Sequence, residues 1–415
     1  MDIDLRRELV ADVPTMGLDL GPGERRVRAF FKGPAAGIDA NTGLIVILHG
    51  IGGRQNDISY KIIRKELADA FNVVVAGVNY LGTDVFTQDD EFIRNQLAGA
   101  ERALAEHAPD VLKNVNDTKG LVWLEPPDNF FIVNQRAALE IAKPRPDDFW
   151  DYGYYQAIDV LSALDWLKKN LGDTQLHYGR AHLLSQSSGA QTAMMCIKLA
   201  PRTFVSLLDL GGALVCGEAV EGLRRAFTDP FRGLHPQHMA ARTGVTQSGG
   251  RIKMVRKHPV AFANGQSCSG APMDDEVAIR DAGEVKHFTN IAREKIPVHL
   301  VRGHEDEFFD IEQRCGYVDR LRQAGMVPQL LEVTQDMVEM ETFGKGLFRS
   351  TTHELIKDFK GACLRFGSEL WKVPGRDDVY TTDIGSDAVY SYATPGGVWT
   401  MRFLPVPLIA FQSSR

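Results

Sequence analysis

Cysteine is scarce in this chain: five residues among 415, at positions 196, 216, 268, 315 and 363. They are widely spaced and odd in number, so a disulfide framework is not expected, and no C-x-x-C suggests a redox or zinc motif. Long apolar runs are missing too. The longest aliphatic run is residues 44–48, far short of the roughly 18–20 residues a membrane helix needs, so no membrane span is expected. Positive charge is in deficit, with 47 Lys and Arg against 54 Asp and Glu and a net charge of −7. A chain whose main task is to coat nucleic acid has the opposite balance, so no nucleic-acid partner is expected. The stretch MDIDLRRELVADVPT has no apolar h-region and no small-residue cleavage site, so a cytoplasmic location with reduced thiols is expected. Internal repeats and low-complexity tracts are absent. H-E-x-x-H, clustered Cys and His, and G-x-x-x-x-G-K-[ST] are absent as well. Zinc-protease and Walker-type readings therefore lack their signatures, and neither a metal nor another cofactor is expected.

What is present reads as a folded protein: 44% apolar and 24% charged residues are ordinary proportions, which excludes disorder as the main theme. Apolar strands at 27–31, 44–48, 72–78, 182–185, 204–210, 298–302 and 329–333 alternate with helical stretches at 59–70, 155–170 and 190–199. This alternation predicts an α/β fold with a mostly parallel sheet and helices on both faces. Two long stretches interrupt it. Structureless loops of that length are rare in a compact domain, so they read as cap-like insertions. The expected organisation is a core of residues 1–81, 150–212 and 296–366, insertions at 82–149 and 213–295, and a β extension at 367–415. In that tail, Thr394-Pro395-Gly396-Gly397 between two short apolar strands predicts a hairpin, either an edge extension of the sheet or a homodimer contact. The basic run at 251–258 reads first as a solvated face and second as an anion contact.

Chemistry in open parallel sheets gathers beyond the carboxyl ends of the strands. After the strand at 182–185 comes Ser185-Gln186-Ser187-Ser188-Gly189, then a helix. A sharp strand–turn–helix elbow needs small residues two before and two after a nucleophile. Only Ser187, flanked by Ser185 and Gly189, meets that need; Ser188 and Ser185 as centres would place Gln186 and Leu183 at small positions. The competing reading is an ordinary serine-rich turn. Ser267, in Gly265-Gln266-Ser267-Cys268-Ser269, follows no apolar strand and opens no long helix. After 44–48 comes His49-Gly50-Ile51-Gly52-Gly53, a turn able to aim the Ile51 N–H at a tetrahedral oxyanion beside that of Ser188. A dinucleotide fingerprint is the rival there, but its third glycine position holds Gln55. Asp306, in Gly303-His304-Glu305-Asp306, is the candidate acid, with an acidic surface loop as the alternative and Asp209 as the second choice. His353 is the only histidine after Asp306, and it reads as the start of a helix capped by Ser350 or a threonine. The chain order is then Ser, acid, His.

These residues resemble the α/β-hydrolase superfamily. His49-Gly50-Ile51-Gly52-Gly53 is similar to its oxyanion turn, Ser185 to Gly189 to its nucleophile elbow, and Asp306 and His353 to its acid and histidine positions. The resemblance covers roughly residues 25–80, 155–212 and 296–366. It implies a serine hydrolase acting on a small-molecule ester or acyl substrate. The same superfamily contains acyltransferases, peptidases and catalytically dead binding proteins, and fold alone does not choose among them. Trp123, Phe130, Phe131, Trp150, Phe227, Phe231 and Phe262 lie in or beside the insertions, where they either roof a pocket or pack the caps.

Overall fold

The computed structural model describes residues 3–15, 26–50, 53–82, 121–122, 132–133, 153–171, 176–214, 247–248, 252–253, 280–284, 296–306, 311–341, 346–353, 355–371, 389–394, 397–403 and 409–414. The insertion aromatics, Ser267, Ile51 and all but two residues of the basic run lie outside the described residues. The chain divides into two compact units, residues 1–80, 151–221 and 267–415 in one and residues 81–150 and 222–266 in the other. Within the second unit, two short antiparallel ladders are described, Leu121–Val122 with Ile132–Val133 and Gln247–Ser248 with Ile252–Lys253.

The first unit is built on an eight-stranded sheet. Its strands are β1 (Leu9–Pro14), β2 (Arg26–Lys32), β3 (Gly43–Leu48), β4 (Val73–Asn79), β5 (Ala181–Gln186), β6 (Phe204–Leu210), β7 (Pro297–Gly303) and β8 (Val327–Val333), in the order β1-β2-β4-β3-β5-β6-β7-β8. Only β1–β2 and β2–β4 pair antiparallel; every other pair is parallel. β3 and β6 are buried at every position, as continuous apolar runs covered on both faces must be. The helices are α1 (Ile58–Phe71), α2 (Tyr154–Leu171), α3 (Gly189–Leu199), α4 (Ile311–Gln323), α5 (Gln335–Glu341) and α6 (Phe359–Leu370). Alternate strand residues Ile45, Ile47, Val73, Val75, Leu184, Leu208 and Val301 pack with Ile63 and Leu67 of α1 and with Ala362, Cys363 and Trp371 at α6. Burial of each such large apolar side chain contributes roughly 1.5–3 kcal/mol. α2 and α3 pack on each other and cover the other face. α2 buries 154–165 almost entirely rather than a single stripe, because it lies under more than one neighbour.

Arg180, just before β5, ties this core together at the rim where the parallel strands begin. Its Nη2 donates to the carbonyls of Phe71 at 2.9 Å and Trp371 at 2.7 Å, and its Nη1 to that of Asn41 at 3.0 Å. It thereby supplies cationic donors to the carbonyl ends of α1 and α6.

Two expectations are corrected. The helix expected to begin at His353 begins at Phe359, with Asp358 as its N-cap accepting from the Gly361 N–H. Residues 347–353 and 355–358 instead belong to a tight loop closed by the Phe348–Ile356 bridge and by Arg349 N–H to Leu355 O at 2.8 Å. The C-terminal strands β9 (Val389–Thr394), β10 (Gly397–Phe403) and β11 (Ile409–Ser414) form the expected hairpin plus a third strand. They pair among themselves and do not extend the main sheet. No helix among the described residues is long and apolar enough to cross a membrane.

Candidate active site

β5 ends in a turn whose first residue is Ser187. Its φ of 52° puts a non-glycine residue in the left-handed region, at a cost of roughly 1–2 kcal/mol. The surroundings hold it there. The Ser187 N–H donates to Gly211 O at 3.1 Å, and Ser187 O accepts from Ala190 N–H at 3.0 Å and Ala213 N–H at 2.8 Å. Such over-determined strain lifts a side chain out of the strand line and marks functional turns. A Cβ on Gly189 would fall on the backbone of Leu48, and one on Gly50 would stand 2.7 Å from the Ser187 Cβ. The small residue two after Ser187 is thus a packing requirement. The small residue before it does more: Ser185 is fully buried and its hydroxyl donates to Asp209 Oδ1 at 2.9 Å.

His353 reaches the elbow from the loop between α5 and α6. Its Nε2 lies 2.8 Å from Ser187 Oγ. Its Nδ1 faces both carboxylate oxygens of Asp306, each at 3.4 Å. Both residues are buried, 8% and 3% exposed, so the imidazole meets the carboxylate largely out of water. The tautomer that serves both contacts carries its proton on Nδ1 and accepts from the serine hydroxyl at Nε2. The loop is fastened to the end of β7. Thr351 O accepts from the Glu305 N–H at 2.8 Å, and the Thr351 hydroxyl donates to Glu305 Oε2 at 2.6 Å. A Cβ on Gly303 would collide with Thr351 O, so the two backbones touch where only glycine leaves room. Glu305, a neighbouring acid, is therefore turned to Thr351.

Asp209 is engaged elsewhere. It is buried, hydrogen-bonded to Ser185 and ion-paired with buried Arg302. Burial pushes its carboxyl up, against the opposing pull of Arg302. Its hydrogen-bond partners are Ser185 and Arg302, not His353.

Above the elbow, the Ser188 N–H opens α3 and has no acceptor among the described residues, and the Ser188 hydroxyl is buried without a partner. His49 stacks on Tyr80 with ring centroids 4.2 Å apart and 11° between planes, and the Tyr80 hydroxyl donates to His49 O. His49 Nδ1 lies 2.9 Å from Gly50 O. Burial pushes the His49 imidazole down to about 4, so it is neutral near pH 7. Tyr80 and Arg302 were missed in the sequence reading. For Arg302 a signal existed: an arginine inside the apolar strand 297–303 demands a buried anion. For Tyr80, a lone tyrosine after a strand carries no such signal. Among the described residues no group of His, Cys, Asp and Glu is arranged to hold a metal.

No protein-family model matches the chain, and no curated protein matches it in sequence. Solved structures are similar to it in structure, at low sequence identity. Est1E from Butyrivibrio proteoclasticus is 11% identical, with 88% of this chain and 96% of that chain covered and a TM-score of 0.40. An S-formylglutathione hydrolase from Agrobacterium tumefaciens is 10% identical, with coverage of 89% and 95% and a TM-score of 0.45. The acylaminoacyl peptidase of Pyrococcus horikoshii is 12% identical, with 90% of this chain but 42% of that chain covered and a TM-score of 0.46. The parallel sheet covered on both faces, with a strained serine between its fifth strand and the following helix, gives this chain the α/β-hydrolase fold.

Proposed function

We propose that the protein is a serine hydrolase that cleaves a carboxylic ester through an acyl-enzyme, with Ser187, His353 and Asp306 as the triad. The observation that carries this reading is the 2.8 Å approach of His353 Nε2 to the hydroxyl of a serine held at positive φ. In acylation His353 takes the Ser187 proton as Oγ attacks the ester carbonyl. Asp306 stabilises the resulting imidazolium. The N–H groups of Ser188 and Ile51 receive the oxyanion; donors of this kind contribute about 3–4 kcal/mol each. His353 then returns the proton to the leaving alcohol, and water, deprotonated by the same imidazole, releases the acid. A binding protein that had lost its chemistry would have no use for a strained serine facing a buried imidazole and carboxylate.

The test is hydrolysis of p-nitrophenyl esters from acetate to palmitate by wild type and Ser187→Ala. Activity is expected in wild type and a loss of at least about 1,000-fold in the variant, with the chain-length optimum sizing the acyl pocket. Equal activity in both proteins would reject Ser187. Transfer of the acyl group to an added alcohol or amine in preference to water would make the enzyme an acyltransferase. Cleavage of peptides alone would make it a peptidase.

A further inference from the structure

Three buried polar side chains lie beneath the elbow and are not used by the proposed chemistry. Ser185, Asp209 and Arg302 sit on the adjacent strands β5, β6 and β7, all at most 1% exposed. Ser185 is the cross-strand partner of Asp209, and Asp209 that of Leu300, which puts Arg302 two residues further along β7 on the same face. The Ser185 hydroxyl donates to one oxygen of Asp209 and the Arg302 guanidinium to the other. Each strand then carries one part of the site a few residues on. Two residues beyond Ser185 is Ser187, and two beyond Asp209 is Gly211, whose carbonyl takes the Ser187 N–H and whose own N–H donates to Val301 O at 2.8 Å. Four beyond Arg302 is Asp306, which faces His353.

Stability does not account for this set. A buried ion pair is commonly replaced by well-packed apolar residues without loss, because desolvation consumes most of its Coulomb attraction. What a carboxylate held at each oxygen by a different strand adds is register. We infer that Ser185, Asp209 and Arg302 are positioning residues that lock the three strand ends carrying Ser187, the Gly211 carbonyl and Asp306, and so set the rate of acylation without touching substrate. The inference rests on Ser187 as nucleophile. It also explains why the elbow has serine where the commoner motif has glycine: glycine meets the space requirement and leaves one oxygen of buried Asp209 unpaired.

The test measures labelling of Ser187 by a fluorophosphonate, as maximal rate and half-saturating concentration, together with the thermal midpoint. Two variants are compared with wild type: Ser185→Gly, and the paired apolar replacement Asp209→Leu with Arg302→Met. Both are expected to fold, and the double variant to melt at or above the wild-type temperature. Maximal labelling rate is expected to fall about 10- to 100-fold, the range for a displaced reacting group, with the half-saturating concentration changed less than about twofold. A folded double variant or a Ser185→Gly protein that labels at the wild-type rate overturns the positioning role alone. If the double variant does not fold, Ser185→Gly, which keeps the ion pair, decides. Failure of wild type to label, or labelling that survives Ser187→Ala, overturns the nucleophile and the positioning role with it.

Discussion

Asp209 and Asp306 invite comparison. Both are buried aspartates at the carboxyl ends of neighbouring strands or just beyond, and both are near enough to the elbow to be considered for the same role. Their partners divide them. Asp209 is consumed by Arg302 and Ser185, a fixed cation and a fixed donor that do not change during a reaction. Asp306 faces an imidazole, the one partner whose charge would change in the proposed reaction. Under the proposed mechanism the two aspartates are told apart not by address on the sheet but by the group each one faces.

The comparison breaks first at Asp306→Asn. The amide still accepts or donates a hydrogen bond but no longer stabilises an imidazolium, so kcat is expected to fall by about 10,000-fold, with thermal stability little changed. Steady-state kinetics beside a melting curve checks this, and near-wild-type kcat would return the role to Asp209. Asp209→Asn is expected to do the reverse in kind. It removes the Asp209 charge from beside buried Arg302, and breaking a buried pair from one side costs about 3–5 kcal/mol, read as a lower midpoint in urea. An unaltered midpoint would mean that Arg302 has found another partner.

The smallest effect extends the comparison from acids to imidazoles. His353 has a carboxylate beside Nδ1, whereas burial holds His49 and His182 neutral, pushing them down to about 4 and about 3. Their folded values lie below the unfolded 6.5, so the unfolded chain binds more protons as pH falls below that value. The stability they contribute is complete above pH 6.5 and is lost through folded values of about 4 and about 3. Within that window the slope is about 1.4 kcal/mol per pH unit for each histidine. Urea midpoints at pH 7, 6 and 5 should decline in step, and His182→Gln should flatten the decline. A midpoint unchanged from pH 7 to 5 would refute the neutral-imidazole account.

The strands and the elbow were legible because they are local. A continuous apolar run ending in small residues announces a buried strand and a sharp turn wherever it lies, as residues 44–53 and 182–189 do. β1 and α4 were not read. β1 is a short antiparallel edge strand with an exposed valine and a terminal proline, so its pattern is weak. The start of α6 was misjudged by six residues because backbone contacts of 347–353 and 355–358 with one another and with the end of β7 outweigh the local cap signal at Ser350. The choice between the two aspartates was closed to sequence for a different reason. It depends on where Arg302 points, and a side chain's direction across three strands is a property of register, not of any one segment.

Arg180 has a consequence in time. The carbonyl it takes at the end of α6 lies 191 residues downstream of it. The Trp371 ring meets Phe71, laid down 300 residues earlier, edge-on with ring centroids 4.9 Å apart, in a core cluster that also draws on both halves of the chain. Closing so distant a contact carries a loop-entropy cost that local structure does not repay, so α6 is expected to dock late in folding. A nascent or truncated chain lacking it presents an open apolar socket and an arginine with one of its carbonyl acceptors missing. In the complete chain α6 is the stopper, and Arg180 is the catch that registers its arrival.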